Sequence, residues 1–140
     1  MLTLSIATSS PDISHPGEER LTHLANTVFE GEGQSAKSIG IVFADHLTVL
    51  ELNRKWLDHD WHTDVISFLL ESNPIEGEVY IDVETAAERH EEFGTTLHGE
   101  LERYVVHGLL HLCGHDDATE AQRDAMRLLE DRYLTTGTTD

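Results

Sequence analysis

Apolar and polar residues follow two spacings along the chain, one typical of strands and one typical of helices. Alternation of apolar and polar positions predicts strands, and apolar positions that recur every three or four residues predict helices with one buried face. Strands are predicted at residues 2–6, 39–43, 65–70 and 79–83, the third of them buried. Asn73–Pro74 predicts a turn before the fourth strand.

Helical spacing predicts two helices in the first part of the chain. The first has an apolar stripe at residues 21, 24, 25, 28 and 29 and ends near Gly31. The second follows Asp45, whose carboxylate is a suitable N-cap, and turns Val49, Leu52 and Trp56 inward.

Three further helices are predicted after residue 84. One spans residues 85–93 and stops at Gly94, and a longer one spans residues 97–112 and stops at Gly114. A capping box at residues 119–122 opens the last helix, whose predicted buried face is Ala125, Leu128 and Leu129.

The order of these elements indicates an α+β fold. Helices and strands are mixed without strict alternation, which favours a small four-stranded sheet covered by about five helices. No repeat, linker or change of composition divides the 140 residues, so we expect one domain, 1–140, with a frayed polar tail at residues 135–140.

Composition restricts the partners and the compartment. Nine Lys and Arg against 27 Asp and Glu give a formal net charge of −18, which repels polyanions, so we expect no stable DNA binding and only local affinity for RNA. No apolar run approaches the ~18 residues of a membrane span, and the first residues lack the pattern of a signal peptide. A lone cysteine, Cys113, forms no intramolecular disulfide, which together with these features predicts a cytoplasmic protein.

The segment HGLLHLCGHDD, residues 107–117, carries the candidate chemistry. His107 and His111 are four positions apart in a predicted helix, so both imidazoles leave the same face and can bind one metal ion. His115 would lie about 12 Å along the axis from His107 if the helix continued. Gly114 offers the positive φ that reverses the chain, and the residue best placed to return over the histidines is Asp117.

Two residues therefore compete for the place of third ligand. Asp117 is favoured, because H-x3-H-x2-G-x2-D follows the metzincin ligand spacing with an aspartate in place of the last histidine. His115 is the alternative, and otherwise it lines the site. Three protein ligands leave an open position, as catalytic zinc sites do. Position 108 is Gly, so the general base of an H-E-x-x-H protease is missing and peptide hydrolysis is disfavoured.

At these residues the sequence resembles the YbeY family of bacterial endoribonucleases, which act in ribosomal RNA maturation. The family signature H-G-x-L-H-L-x-G-[YH]-D-H corresponds here to HGLLHLCGHDD. A second block, L-N-x2-Y-R-G-K-D-x2-T-D-V-L-S-F, corresponds to Leu52–Asn53, Trp56, Asp60 and residues 63–68. A third, G-[DE]-[IV]-x-I, corresponds to residues 77–81. The three blocks keep their order and spacing from Leu52 to Tyr133.

The resemblance implies one zinc ion bound by His107, His111 and Asp117 at the end of a long helix, a short mixed sheet, and cleavage of single-stranded RNA. The sequence itself does not distinguish zinc from another divalent ion. Two departures stand out: the third ligand is Asp117 where most members have His, and the family's active-site arginine corresponds to Leu57.

Several other residues are candidates for supporting roles. Arg54, Lys55 or Arg103 is a candidate replacement for the missing arginine, and each is also an ordinary surface charge. Thr63, Asp64 and Ser67 are expected to shape the strand beside the metal.

We therefore expect a metal-dependent, single-strand-specific endoribonuclease acting in ribosomal RNA processing. Its partners would be ribosomal RNA, the ribosome or a ribosomal protein, with His115 as a candidate proton donor or acceptor. One alternative is a ribosome-associated assembly factor with a structural metal and negligible cleavage, which the net charge and Leu57 favour. The other is a zincin-like metallohydrolase or protease, against which Gly108 argues.

Overall fold

The computed structural model describes residues 2–57 and 64–136, and this part of the chain forms a four-stranded sheet and five helices. The elements, in chain order, are β1 (Thr3–Thr8), α1 (Glu18–Gly31), β2 (Ala36–Ala44), α2 (His46–Leu57), β3 (Val65–Ser72), β4 (Ile75–Asp82), α3 (Val83–Arg89), α4 (Leu97–Leu112) and α5 (Glu120–Thr136). The predicted α+β class is confirmed.

The sheet is mixed, with strand order β1-β2-β4-β3. β1 pairs parallel with β2, β2 pairs parallel with β4, and β3 returns antiparallel to β4 after the turn at Asn73–Pro74. Because side chains alternate along each strand, the two faces carry different residues. Ile41 and Val79 belong to the main core, whereas Val42 and Tyr80 face the other side.

Helix α4 is the centre of the main core. Most of its side chains are buried, and it packs on β3 and β4 with α1, α3 and α5 around it. The opposite face of the sheet is covered by α2 over a smaller cluster, in which Ala44, Val49 and Ile66 are buried.

A glycine sets the distance between α4 and the sheet. A Cβ at Gly108 would lie 2.4 Å from Cγ1 of Val79, 3.0 Å from Cγ1 of Val65 and 3.2 Å from Oγ of Ser67. Real Cβ atoms do not approach other atoms at 2.4 Å, so only glycine lets the helix backbone lie this close to the strands. Ser67 adds a hydrogen bond at this contact, because its hydroxyl donates to the Gly108 carbonyl at 2.9 Å.

Two predicted boundaries near α3 shift. Val83 is the first residue of α3 and not the last of a strand, because the Asp82 carboxylate accepts from the Thr85 amide at 3.0 Å and caps the helix. The helix ends at Arg89, so Phe93 lies in the turn before Gly94, whose φ is +66°. The predicted caps at Asp45, which accepts from Thr48, and at residues 119–122 are both present.

Several predicted burial patterns are wrong. Residues 65–70 form the edge strand and not a buried one, and Leu70 is 63% exposed. Trp56 is 61% exposed, because the small cluster under α2 ends before the last turn of that helix.

The buried stripe of α5 also differs from the prediction. Met126, Glu130 and Tyr133 face inward, whereas Ala125 is exposed, Leu128 is 70% exposed and Leu129 is half-buried. The apolar pattern misses this stripe because its middle residue is a buried carboxylate. Thr135 and Thr136, the first residues of the predicted tail, are the last residues of α5, and residues 137–140 lie outside the described residues.

We predict that Gly108→Ala lowers the free energy of unfolding by about 1–3 kcal/mol, as overpacking of a core does. The loss should appear even though alanine is a better helix former than glycine. Urea unfolding of the metal-free protein measures it. Gly40→Ala is the matched control, because its Cβ would meet its nearest atom, Ser5 Oγ, at an ordinary 3.5 Å. Equal midpoints for the two variants would contradict the packing argument.

Candidate metal centre and its cavity

A cavity of about 510 Å³ lies between α4 and α5, with the start of β3, the end of α3 and Phe93 at its rim. One face of α4 forms a wall through residues three or four positions apart. From the N-terminal end these are Glu100, Arg103, Tyr104, His107 and His111. The facing wall of α5 carries Arg123, Met126, Arg127 and Glu130.

His107, His111 and Asp117 meet at this cavity and form what we call the His–His–Asp triad. The two histidine Nε2 atoms are 3.1 Å apart, and the Asp117 Oδ2 lies 3.1 Å from Nε2 of His107 and 3.4 Å from Nε2 of His111. Among the residues that the structure describes, this is the one group of three or more His, Cys, Asp or Glu side chains spaced to hold a metal ion.

The spacing within the triad fits a metal ion of the size of zinc. Zinc binds nitrogen and oxygen at about 2.0–2.1 Å, so two ligands at tetrahedral angles are about 3.3–3.4 Å apart. The observed separations of 3.1, 3.1 and 3.4 Å are close to this value. Two imidazoles and one carboxylate are also a donor set that zinc accepts.

The loop that carries Asp117 is fixed at both ends. Before it, α4 ends in a Schellman motif, in which the amide of Gly114 donates to His111 O and the amide of His115 donates to Leu110 O. Gly114 has a φ of +102°, as the sequence predicts. After it, Thr119 and Gln122 form a reciprocal capping box at the start of α5, with both bonds at 3.1 Å. The loop therefore returns Asp117 to the histidines.

A second layer of polar contacts holds His107. Its Nδ1 donates to Oε2 of the buried Glu130 at 2.6 Å, which leaves Nε2 free to face the cavity. Glu130 also accepts from Nη1 of Arg103 at 2.9 Å, and Arg103 reaches Asp131 at 2.5 Å. Burial lowers the pKa of His107, but Glu130 and Asp117 raise it by more, so the net direction is upward.

His115 lies away from the cavity. Its Nε2 is 2.5 Å from Oε1 of Glu32, at the end of α1, and Tyr133 of α5 donates to the other oxygen of the same carboxylate. Burial raises the pKa of Glu32, but the bonds from Tyr133 and His115 bring it below its usual value. His115 thus joins the loop after α4 to α1 and α5, and the structure does not bring it to the His–His–Asp triad.

The other candidates from the sequence divide between the cavity and its surroundings. Arg103 lines the cavity, but its guanidinium is already paired with Glu130 and Asp131. Arg54 and Lys55 lie on the last turns of α2 and do not line it, and the ammonium of Lys55 lies 5.2 Å from the centre of the Trp56 ring.

Asp64 is the residue before β3. Asp64 lines the cavity and pairs with Arg89 at 3.6 Å. Thr63 and Asp60 lie outside the described residues, and nothing is described of the Leu57 side chain.

Several residues of the cavity, Glu130 among them, were not singled out by the sequence analysis. Arg89, Arg123 and Arg127 bring positive charge to a site on an acidic protein, and Glu100 adds a carboxyl that is only 3% exposed and whose pKa is raised by burial. A signal was present for one of them: Glu100 is seven positions before His107, and so on the same face of the helix. The arginines could be found only from the packing of α3 and α5 around α4.

The comparisons with known proteins place the chain in a family. A family model described as Endoribonuclease YbeY matches residues 6–137. The chain belongs to the Endoribonuclease YbeY family. It is 48% identical to the Endoribonuclease YbeY of Salinibacter ruber, covering 86% of this chain and 85% of that protein, and 34% identical to that of Parabacteroides distasonis, covering 94% of each.

A solved structure supports the fold. The solution structure of a Thermotoga maritima protein has a TM-score of 0.64 to this one at 24% sequence identity, and the match covers 96% of this chain and 89% of that one. The family resemblance predicted from the sequence is confirmed by the family model and the relatives. No helix among residues 2–57 and 64–136 is both long and apolar enough to cross a bilayer.

We predict that Glu130→Gln weakens zinc binding by about tenfold to a hundredfold, because the variant loses the carboxylate that orients His107. Titration of the metal-free protein with zinc against a competing chelator measures the change. Asp131→Asn is the matched control, since Asp131 also pairs with Arg103 but does not contact His107 in the structure. If both variants lose the same affinity, the effect comes through Arg103 and the role given to Glu130 is wrong.

A pH titration of zinc binding should show the raised pKa of His107. A proton competes with an ion for Nε2, so zinc affinity should begin to fall at a pH above the ordinary histidine value of 6.5. In Glu130→Gln the pKa of His107 is no longer raised by this carboxylate, so the fall should begin at a lower pH although the affinity at high pH is weaker. The same onset in both proteins would contradict the assignment.

Proposed function

We propose that this protein is a zinc-dependent endoribonuclease that cuts single-stranded RNA during ribosomal RNA maturation. The observation that carries the proposal is the His–His–Asp triad on the wall of a cavity open to solvent, in a chain of the Endoribonuclease YbeY family. Zinc dependence, the substrate and the setting are our inference from this combination.

The triad would hold the ion through Nε2 of His107, Nε2 of His111 and the carboxylate of Asp117. A divalent ion bound there would polarise a phosphoryl oxygen and lower the pKa of an attacking water molecule toward neutral. The aspartate adds a negative charge where most of the family has a neutral histidine.

The residues around the triad position its members. Glu130 fixes the ring of His107 through Nδ1, and Arg103 holds Glu130. The Schellman motif at Gly114 and the capping box at Thr119 hold Asp117 from both sides. A site held this firmly keeps its geometry while a substrate enters and leaves.

The cavity favours the nuclease over an assembly factor with a purely structural metal. Structural zinc sites usually have four protein ligands, whereas three donor groups gather here among the residues that the structure describes. These three border a space large enough for a nucleotide-sized group.

The packing of Gly108 argues against a zincin-like protease. The H-E-x-x-H general base follows the first histidine, and here that position lies against Val79, where a side chain has no room. The carboxyl of Glu100 also lines the cavity but is two turns away, about 10 Å along α4 from His107. Neither residue supplies the proteolytic base beside the triad.

The net charge shapes the proposal about partners. A formal charge of −18 opposes long-range attraction to RNA, so recognition would depend on local contacts at the cavity and on the ribosome or a ribosomal protein that presents the RNA. We place this activity in the cytoplasm.

The test is cleavage of a precursor ribosomal RNA by wild type, His111→Ala and His23→Ala, purified in parallel, with and without a chelator. Wild type and His23→Ala should cut the RNA, and cleavage should fall at least about a hundredfold in His111→Ala and in chelated wild type, because a catalytic ion contributes several kcal/mol. Zinc added back should restore the chelated protein but not His111→Ala.

His23 is the matched control because it is an exposed histidine on α1 that does not line the cavity. Equal cleavage by all three proteins would identify a contaminating nuclease and overturn the proposal. Absence of cleavage by zinc-loaded wild type would also overturn it and would favour the assembly-factor role.

A further inference from the structure

We infer that Arg123 and Arg127, on neighbouring turns of α5, bind the phosphate backbone of single-stranded RNA beside the His–His–Asp triad, with Phe93 as the surface on which a base stacks. The inference rests on the proposed function, because it specifies how the substrate of that site is held.

Positive charge is concentrated at this cavity. The sequence contains nine Lys and Arg, and four of them, Arg89, Arg103, Arg123 and Arg127, line this one cavity. On a chain with a net charge of −18, such a concentration marks the place where an anion can approach. Arginine is also the side chain best suited to bind phosphate through two hydrogen bonds.

Two of these arginines are not used in ion pairs within the described part of the chain. Arg103 is paired with Glu130 and Asp131, and Arg89 with Asp64 and Glu92. By contrast, Arg123 and Arg127 make no ion pair with any carboxylate within residues 2–57 and 64–136, and both are exposed. Their positive charges remain available to a ligand.

Arg123 and Arg127 lie on neighbouring turns at the start of α5. Nη1 of Arg123 donates to the carbonyl of Ala118 at 3.2 Å, one residue after the triad member Asp117, so this guanidinium lies at the metal end of the wall. Arg127 follows one turn later, about 6 Å along the helix axis. The two therefore form a row of positive charge along the wall of the cavity that holds the triad, where the phosphates of a bound strand would meet both.

Phe93 completes the row. Its ring is 51% exposed at the rim of the cavity, and the guanidinium carbon of Arg127 lies 5.9 Å from the ring centre. Proteins that bind single strands combine cationic groups for the backbone with aromatic rings for the bases, and both occur here side by side.

The charge of the cavity also links RNA binding to the ion. Five carboxylates, those of Asp64, Glu100, Asp117, Asp124 and Glu130, face the four arginines. With neutral histidines and ionised carboxylates, a divalent ion turns one net negative charge into one net positive charge. RNA should therefore bind the zinc-loaded protein and bind the chelated protein much more weakly.

The test uses fluorescence anisotropy of a labelled, unstructured oligouridylate with the zinc-loaded full chain at several salt concentrations. Arg123→Gln and Arg127→Gln should each weaken binding about tenfold at low salt, as loss of a charge-assisted hydrogen bond does. Each should reduce the slope of log affinity against log salt by about 0.7, the contribution of one phosphate contact in a single strand. KM for RNA cleavage should rise more than kcat falls, and Arg127→Lys should recover part of the loss.

Arg132→Gln is the matched control, because it removes the same charge from the same helix outside the cavity. Zinc content and the thermal midpoint of each variant show whether the loop at Ala118 has moved, and Arg127→Gln does not disturb that loop. Phe93→Leu should bind oligouridylate about tenfold more weakly with an unchanged salt slope. It should bind an abasic oligomer as wild type does.

An unchanged affinity and salt slope in the Arg123→Gln, Arg127→Gln double variant, with wild-type cleavage, would overturn this inference and leave the nuclease intact. Equal losses in Arg132→Gln would also overturn it, since the effect would then come from net charge alone. Wild-type protein that binds zinc but neither binds nor cuts RNA would instead overturn the proposed function, and this inference with it.

Discussion

The close approach of α4 to the sheet at Gly108 is the contact on which the rest of the structure depends. The helix presents His107 and His111 to the cavity, and at Gly108, on its opposite face, it rests on Val79 and Val65. A larger residue at position 108 would displace the helix, and with it both histidines, from α5 and from the loop that returns Asp117. Gly108 stands where a zincin has its glutamate base, and it also sets the position of the two histidines. Packing therefore explains the glycine, whichever reaction the protein catalyses.

The second constraint is electrostatic. Glu130 is buried on the inner stripe of α5, and a buried carboxylate is costly unless it is paired. Here it is paired twice, to His107 and to Arg103, so one side chain joins α5 to α4 and orients a candidate ligand. Stability and function coincide in this contact: the interaction that satisfies the buried charge is also the one that leaves Nε2 of His107 facing the cavity.

Most of the fold and the centre of the site could be predicted from the sequence, because they depend on local chemistry. The span of α4, the positive φ of Gly114 and the capping box at Thr119 follow from residues near in the chain. The inner stripe of α5 could not be predicted, since Glu130 is buried only because His107 and Arg103 meet it from another helix. His115 shows the same limit: its neighbour Glu32 is 83 positions away in sequence.

Arg103 and Arg127 show how packing divides like residues between different roles. Both line the cavity, and nothing in their immediate sequence distinguishes a phosphate-binding arginine from a structural one. Arg103 forms ion pairs with two carboxylates of α5, those of Glu130 and Asp131. Arg127 projects from α5 toward an exposed ring and forms no ion pair with a carboxylate within the described part of the chain. A cation already paired gains little from a phosphate, because it must first give up its own anion. The unpaired arginines are consequently the ones on which an acidic protein can build affinity for RNA.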